Sequence, residues 1–194
     1  MIAASTVGLF AGVCGASGAG KDTILSGAKA ELAGLRDIVF VRRTITRPAD
    51  AGGEDHASVT EQEFAELERA GAFCLSWRAH GLAYGVPASV LGDLASGCTV
   101  VCNISRAVAV LAADKFPRFA LLEVTAEPEI IAARLAARGR ETAGEIESRQ
   151  LRNVAGWSSG LTLYTVANNG MPQDAVGCFV SIVLSLSGRS AQQA

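Results

Sequence analysis

The chain has little lysine and little histidine. Only three of its 17 cationic residues are lysine (Lys21, Lys29 and Lys115), and the two histidines are His56 and His80. The formal net charge is −2 and no basic stripe or tail is present, which argues against a general nucleic-acid binder. Metal-like cysteine spacing is also missing. The five cysteines (Cys14, Cys74, Cys98, Cys102, Cys178) are odd in number and lie mostly in apolar segments, and Cys98 and Cys102 have no matching pair of Cys or His. Buried free thiols of a reducing cytoplasm are the expectation. Met1 to Gly20 carries no charged side chain, but it lacks a basic start and turns Gly-rich in its second half. A buried central strand accounts for it better, and the run from Ala175 to Gly188 is too short to span a bilayer, so a soluble protein is expected. With no internal repeat and no interdomain linker, 194 residues fit one α/β domain that buries roughly 70% of its unfolded surface.

What is there is organised around Gly15-Ala16-Ser17-Gly18-Ala19-Gly20-Lys21-Asp22-Thr23. An apolar run precedes it and an amphipathic one follows (Ile24, Leu25, Ala28, Leu32), which reads as strand, Gly-rich loop, helix. The spacing fits G-x-x-x-x-G-K, in which backbone N–H groups curl around phosphate oxygens. The helix N-terminus adds partial positive charge, and Lys21 reaches the outer phosphates. Asp22 stands where Ser or Thr is usual. A Gly-rich turn would give the glycines without requiring Lys21.

Along the chain, strands are expected at about 7–14, 37–43, 98–103, 119–124 and 161–166. Together they make a parallel five-stranded central sheet of a three-layer P-loop fold. Helices are expected at about 21–33, 87–95 and 105–115, from Pro128, from the capping box Thr142-Ala143-Gly144-Glu145, and at the end to about Ser187. Arg42, Arg43 and Arg47 close the second strand, and ligands in open α/β sheets sit beyond the carboxyl ends of strands. The core is assigned to 1–43, 88–133 and 153–194. The stretch 44–87, with a capping box at Thr60–Glu63 and two strand-like runs joined at His80-Gly81, is read as an acceptor-binding insertion. The Arg-rich stretch 134–152 is read as a helical lid.

This order of parts resembles the guanylate-kinase group of nucleoside monophosphate kinases. More closely, G-A-S-G-A-G-K-D-T (15–23), I-T-R-P-A-D-A-G-G-E-D-H (45–56), T-E-Q-E-F (60–64), L-S-W-R-A-H-G-L-A-Y-G-V (75–86), N-I-S-R-A (103–107), R-G-R-E-T-A-G-E-I (138–146) and N-N-G (168–170) resemble the branch of that group acting on ribose 1,5-bisphosphate in phosphonate breakdown. Asp22 after the loop lysine is itself typical of that branch. Departures from guanylate kinases point the same way: Asp50 occupies the neighbourhood of their second phosphate-holding arginine, Arg78 the position of their guanine-reading glutamate, Val86 that of a threonine, and Asn103-Ile104-Ser105 that of an acidic strand end. A guanine edge needs acceptors, and arginine offers only donors, which suit an anion.

The resemblance implies transfer of the ATP γ-phosphoryl to the 1-phosphate of ribose 1,5-bisphosphate, giving 5-phospho-α-D-ribose 1-diphosphate. The acceptor oxygen is already anionic, so no general base is needed, and catalysis reduces to positioning and charge neutralisation. Lys21 is assigned to the β/γ-phosphates, Gly15 to Gly20 to the cradle, Thr23 to an α/β-phosphate, and Asp22 to Mg²⁺. Asp22 is equally explained as an acid at a helix N-terminus. Arg138, Arg140 and Arg149 are the lid candidates, with Arg134 and Arg152 next; a solvated basic face paired with Glu141, Glu145 and Glu147 is the plainer account. Arg43, Arg47, Arg78, Arg106 and Tyr84 are acceptor-site candidates. His56 and His80 are read as loop packing, and Asn168-Asn169 as a turn bordering the adenine. The expected partner is a small molecule, a homodimer being compatible with the chain. Three other readings stand beside this one: a guanylate or other nucleoside monophosphate kinase, a non-catalytic guanylate-kinase-like binding module, and a kinase with a hydroxyl acceptor.

Overall fold

The computed structural model describes residues 7–49, 53–138 (without the Arg138 side chain) and 161–189. Strand β1 (Leu9–Gly15) is buried along almost its whole length. A strand covered on both faces has no polar side to show, hence its unbroken apolar run. Its odd and even residues nevertheless serve two different cores, because successive side chains point to opposite faces. Leu9, Ala11 and Val13 join Ile24 and Ala28 of helix α1 (Lys21–Glu31). Phe10 and Cys14 join the opposite layer, where Phe10 stacks on Phe116 with ring centroids 4.2 Å apart.

The other strands of the central sheet are β2 (Ile38–Phe40), β7 (Thr99–Asn103), β8 (Phe119–Thr125) and β9 (Leu163–Ala167). Their order is β2-β7-β1-β8-β9 and every neighbouring pair is parallel, as expected. One face is covered by α1 and the last helix, α6 (Pro172–Leu186), which buries Phe179 and Val183. The other is covered by α3 (Val90–Ala95) and α4 (Ala109–Lys115). Helix α5 (Pro128–Arg138) follows β8.

A second sheet is built within 44–87 from β3 (Thr44–Ile45), β4 (Ala57–Ser58), β5 (Phe73–Ala79) and β6 (Leu82–Pro87), in the order β4-β3-β6-β5. His80 and Gly81 turn the β5–β6 hairpin with φ of 53° and 72°, the positive pair that suits a right-twisted two-residue turn. The Thr60–Glu63 capping box opens α2 (Glu61–Arg69), and Phe64 from that helix stacks on Phe73.

The second strand is shorter than the expected 37–43. Val41 still donates to the carbonyl of Val101, but Arg42 and Arg43 leave the sheet. Their side chains turn to Asp55 and Glu54, and the carbonyl of Arg43 accepts from Ala57 N to start the second sheet. Pro87 closes β6 rather than opening a helix, which begins at Val90. Of the five free cysteines, three are buried, Cys98 is intermediate and Cys178 is exposed on α6. Burial pushes the Cys14 and Cys102 thiols up to about 12, Glu123 adding to the effect at Cys14. Among the described residues no helix is long and apolar enough to cross a membrane.

Candidate active site

The loop between β1 and α1 is shaped by two tight approaches. A Cβ on Gly15 would run into the Val124 carbonyl, and φ there is 146°. A Cβ on Gly20 would run into the amide of Asn168, and φ there is 92°. Both positions therefore call for glycine. Gly20 is also the N-cap of α1, with no side chain to cap it, so the first amides of the helix keep their donors for a ligand. Lys21 folds over the loop and donates to the carbonyls of Gly15 at 2.9 Å and Ala16 at 2.8 Å. Desolvation holds its pKa below the ordinary lysine range, and the charge of Arg43 acts in the same direction, with Asp22 and Glu54 opposing.

The far shoulder of the loop is tied to the end of β9. Buried Asn168 donates from Nδ2 to the Ala19 carbonyl at 2.8 Å. Arg134 of α5 donates to the Asn168 carbonyl at 3.1 Å and, more weakly, to Ala19. Ser17 and Thr23 are exposed on this rim, and Gly18 and Ala19 are buried beneath it.

In front of Lys21 lies a cleft of about 400 Å³, between the ends of β1 and β7 and the second sheet. Lys21, Asp22, Arg43, Arg47, Tyr84 and Ser105 are among its walls. Arg43 is 6% exposed. It pairs with Glu54 at 2.6 Å and lies over the rings of Trp77 and Tyr84, 5.4 and 5.0 Å from their centroids. Arg47 Nη2 lies 3.3 Å from Nδ1 of the His56 ring. A Cβ built on Gly53 would lie 3.5 Å from both Arg47 Nη2 and Asp22 Oδ2, so loop and insertion meet at that glycine. Two buried polar atoms of residues that line this cleft, Arg47 Nε and Ser105 Oγ, have no hydrogen-bond partner. An orphaned guanidinium N–H and hydroxyl in one cleft suit an anionic or hydroxylated ligand.

The structure thus brings together the loop, Lys21, Asp22, Arg43, Arg47 and Tyr84, but not every expected residue. Arg78 lies on the other face of β5, where it meets Glu68 at 3.3 Å and covers Phe64. Strand alternation is the reason: Trp77 faces the cleft, so Arg78 cannot. Arg106 is drawn to Glu123 instead, and it is absent from the cleft walls. Arg42 pairs with Asp55 in the open. The His56 ring packs against the carbonyls of Glu54 and Arg47 at 2.9 and 3.1 Å, in keeping with loop packing. Asp50, the Arg138 side chain, Arg140, Arg149, Arg152 and the Thr142–Glu145 capping box lie outside the described residues.

Three residues at the cleft were given no site role from sequence. Trp77 could have been found from the alternation that removes Arg78. Ser105 sits two residues past the end of β7, on the ligand side that the strand order implies. Glu54 had no local signal, because its second partner, Asn103, is 49 residues away.

Comparison with known proteins fits this geometry. The chain is 49% identical over 172 residues to the ribose 1,5-bisphosphate phosphokinase PhnN of Acidiphilium cryptum, covering 89% of this chain and 90% of that protein. The chain belongs to the ribose 1,5-bisphosphate phosphokinase family. It is also 41% identical over 182 residues to the bifunctional ribose 1,5-bisphosphokinase–thymidine phosphorylase of Azorhizobium caulinodans, covering 94% of this chain but only about a quarter (26%) of that longer protein. Among solved structures, guanylate kinase from Anaplasma phagocytophilum superposes with a TM-score of 0.65 at 18% identity, over 93% of this chain and 87% of that one, which shows the shared fold. No family model matches the chain. The guanylate-kinase-like architecture expected from the motifs is the one observed.

Proposed function

We propose that the chain phosphorylates the 1-phosphate of ribose 1,5-bisphosphate with ATP. A 1-phosphate oxygen attacks the γ-phosphorus, the bond from that phosphorus to the β,γ-bridging oxygen breaks, and ADP leaves with the electron pair. The product is 5-phospho-α-D-ribose 1-diphosphate. The observation that carries this reading is the cleft joining the phosphate loop to Arg43, Arg47 and the unpartnered Ser105 hydroxyl. The attacking oxygen is an anion at neutral pH, so the cleft needs cations and no base.

In this reading the amides of Gly15 to Gly20 and the first turn of α1 cradle the donor phosphates, with Thr23 at the α/β-phosphates. Lys21 neutralises charge at the β/γ position. Arg43 and Arg47 hold the acceptor phosphates, and Tyr84 supports Arg43 through its ring. Residues 134–152 act as the lid, with Arg138, Arg140 and Arg149 at the transferring group. Mg²⁺ fits the residues present: Asp22 puts one carboxylate into the cleft beside Lys21, and this ion is usually held by one or two carboxylates plus substrate phosphates. When bound it would draw negative charge off the phosphoryl oxygens. The enzyme is read as cytoplasmic, acting alone or as a homodimer, with phosphonate breakdown as its setting.

An ADP-release assay across three acceptors tests the reading. ADP should form with ribose 1,5-bisphosphate and not with ribose 5-phosphate or GMP. Turnover with GMP and none with the sugar bisphosphate would make the protein a nucleoside monophosphate kinase instead.

A further inference from the structure

Glu54 is a carboxylate set against Arg43 in the wall of the cleft, with no role in the phosphoryl transfer as derived above. One of its oxygens, Oε1, accepts from both Nε and Nη2 of Arg43, at 2.8 and 2.6 Å. The other, Oε2, accepts from Asn103 Nδ2 at 2.5 Å. Both carboxylate oxygens are thereby used, and the Glu54 side chain is only 15% exposed. Asn103 ends β7 in the central sheet, and Arg43 precedes β3 in the second one. The bridge therefore pins the insertion to the core at the floor of the cleft. It also separates the cleft from a smaller cavity of about 120 Å³ lined by Asp22, Lys29, Arg42 and Asp55.

The consequence lies on the far side of Arg43. Trp77 and Tyr84 stack side by side across the β5–β6 hairpin, their ring centroids 5.3 Å apart and their planes within 7°. Two parallel aromatic faces in a cleft are a natural platform for a flat base. Here the guanidinium of Arg43 already lies over both rings. A free arginine has many rotamers, and only an anchored one holds that position.

We propose that Glu54 is a positioning residue that selects the acceptor class. By gripping Arg43 while fixed to Asn103, it keeps the guanidinium over the Trp77–Tyr84 pair. That wall then offers a preset cation to a sugar phosphate and no open ring face to a nucleobase. The inference rests on the proposed acceptor, and its test separates the two.

Glu54→Ala and the near-isosteric Glu54→Gln should each raise the KM for ribose 1,5-bisphosphate at least tenfold, leaving the KM for ATP and kcat within about twofold. In Glu54→Ala, GMP should become a competitive inhibitor against the sugar bisphosphate, having been inert toward the wild type. A second readout does not depend on turnover. In a Trp157→Phe background Trp77 is the sole tryptophan, and Glu54→Ala should change its emission and raise its quenching by acrylamide. An unchanged acceptor KM in both variants, or an equal loss in ATP and acceptor parameters, overturns the proposal. Unchanged Trp77 emission and quenching does so as well. If the wild type does not use ribose 1,5-bisphosphate, the functional reading fails, and the fluorescence experiment still decides whether Glu54 holds Arg43 on the rings.

Discussion

At the scale of single residues, Lys21 joins chemistry to a measurable signature. Its ammonium is partly withdrawn from water and shares its surroundings with Arg43, so its proton is lost more readily than from an ordinary lysine. The sign follows from the neutral form being the one favoured by burial. As pH rises, the charged form is lost earlier than at an ordinary lysine, whose value is roughly 10.4. Below the folded-state pKa the buried charge weakens the fold, and this penalty is relieved as pH climbs toward the unfolded value. If the ammonium serves the outer phosphates, kcat/KM for ATP falls on an alkaline limb that begins below that range. Lys21→Met should remove the limb and lower kcat/KM on the order of 10²–10³-fold, the scale of losing one preorganised donor at a developing charge. A pH profile of the variant with the limb intact would assign the titration to another group. Residue identity was legible at Lys21 because every participant in the motif is a chain neighbour. It was misleading at Arg78, because spacing names a residue without saying which face of β5 it takes. Only the pairing of Trp77 with Tyr84 settles that face.

At the scale of elements, the phosphate loop depends on a contact invisible to any local reading. Asn168 follows β9 and reaches Ala19 from 149 residues away, filling the space that a side chain at Gly20 would need. The sequence suggests a polar turn at Asn168-Asn169, which is correct for Asn169: its Oδ1 accepts from the Glu127 backbone N–H and its Nδ2 donates to the Glu127 carboxylate. Asn168 does the opposite and is buried. Removing it by Asn168→Ala strands the Ala19 carbonyl with only the long contact from Arg134, at a cost of about 1–3 kcal/mol for an unmet buried acceptor. Urea unfolding should show an unfolding free energy lowered by that amount, read as a lower midpoint with an unchanged slope. KM for ATP should rise while KM for the acceptor stays put, since the acceptor cleft is walled by other elements. A variant with wild-type midpoint and ATP affinity would show that Arg134 alone suffices. The second strand teaches the same lesson from the other side. D-I-V-F-V-R-R reads as one strand, yet two arginines finding carboxylates eleven and thirteen residues onward end it early.

At the scale of the whole molecule, the described residues form a three-layered core with a second sheet mounted on it. The alternation inside β1 and the periodicity of α1 and α6 announce the first part. The second is announced only by its capping box and hairpin turn. The two parts differ in how they respond to damage. Phe10 is fully buried between sheet and α4 and stacks on both Phe116 and Phe119. Phe64 is equally buried, but it stacks on Phe73 in the insertion and belongs to neither main core cluster. Either change to alanine removes the same ring and carries the same nominal cost of about 3–5 kcal/mol. For Phe10→Ala that cost falls on the cooperative core, a large share of the roughly 5–15 kcal/mol that holds a domain folded. ATP and acceptor binding should then be lost together along the same denaturant curve. For Phe64→Ala the loosened element is α2 against β5, which buttresses the strand carrying Trp77. Acceptor binding should weaken while ATP still binds, and acceptor affinity should fall at urea concentrations that leave the main transition unmoved. If Phe64→Ala lowers both affinities in parallel with global unfolding, the insertion is not a separable unit, and the acceptor site stands or falls with the core.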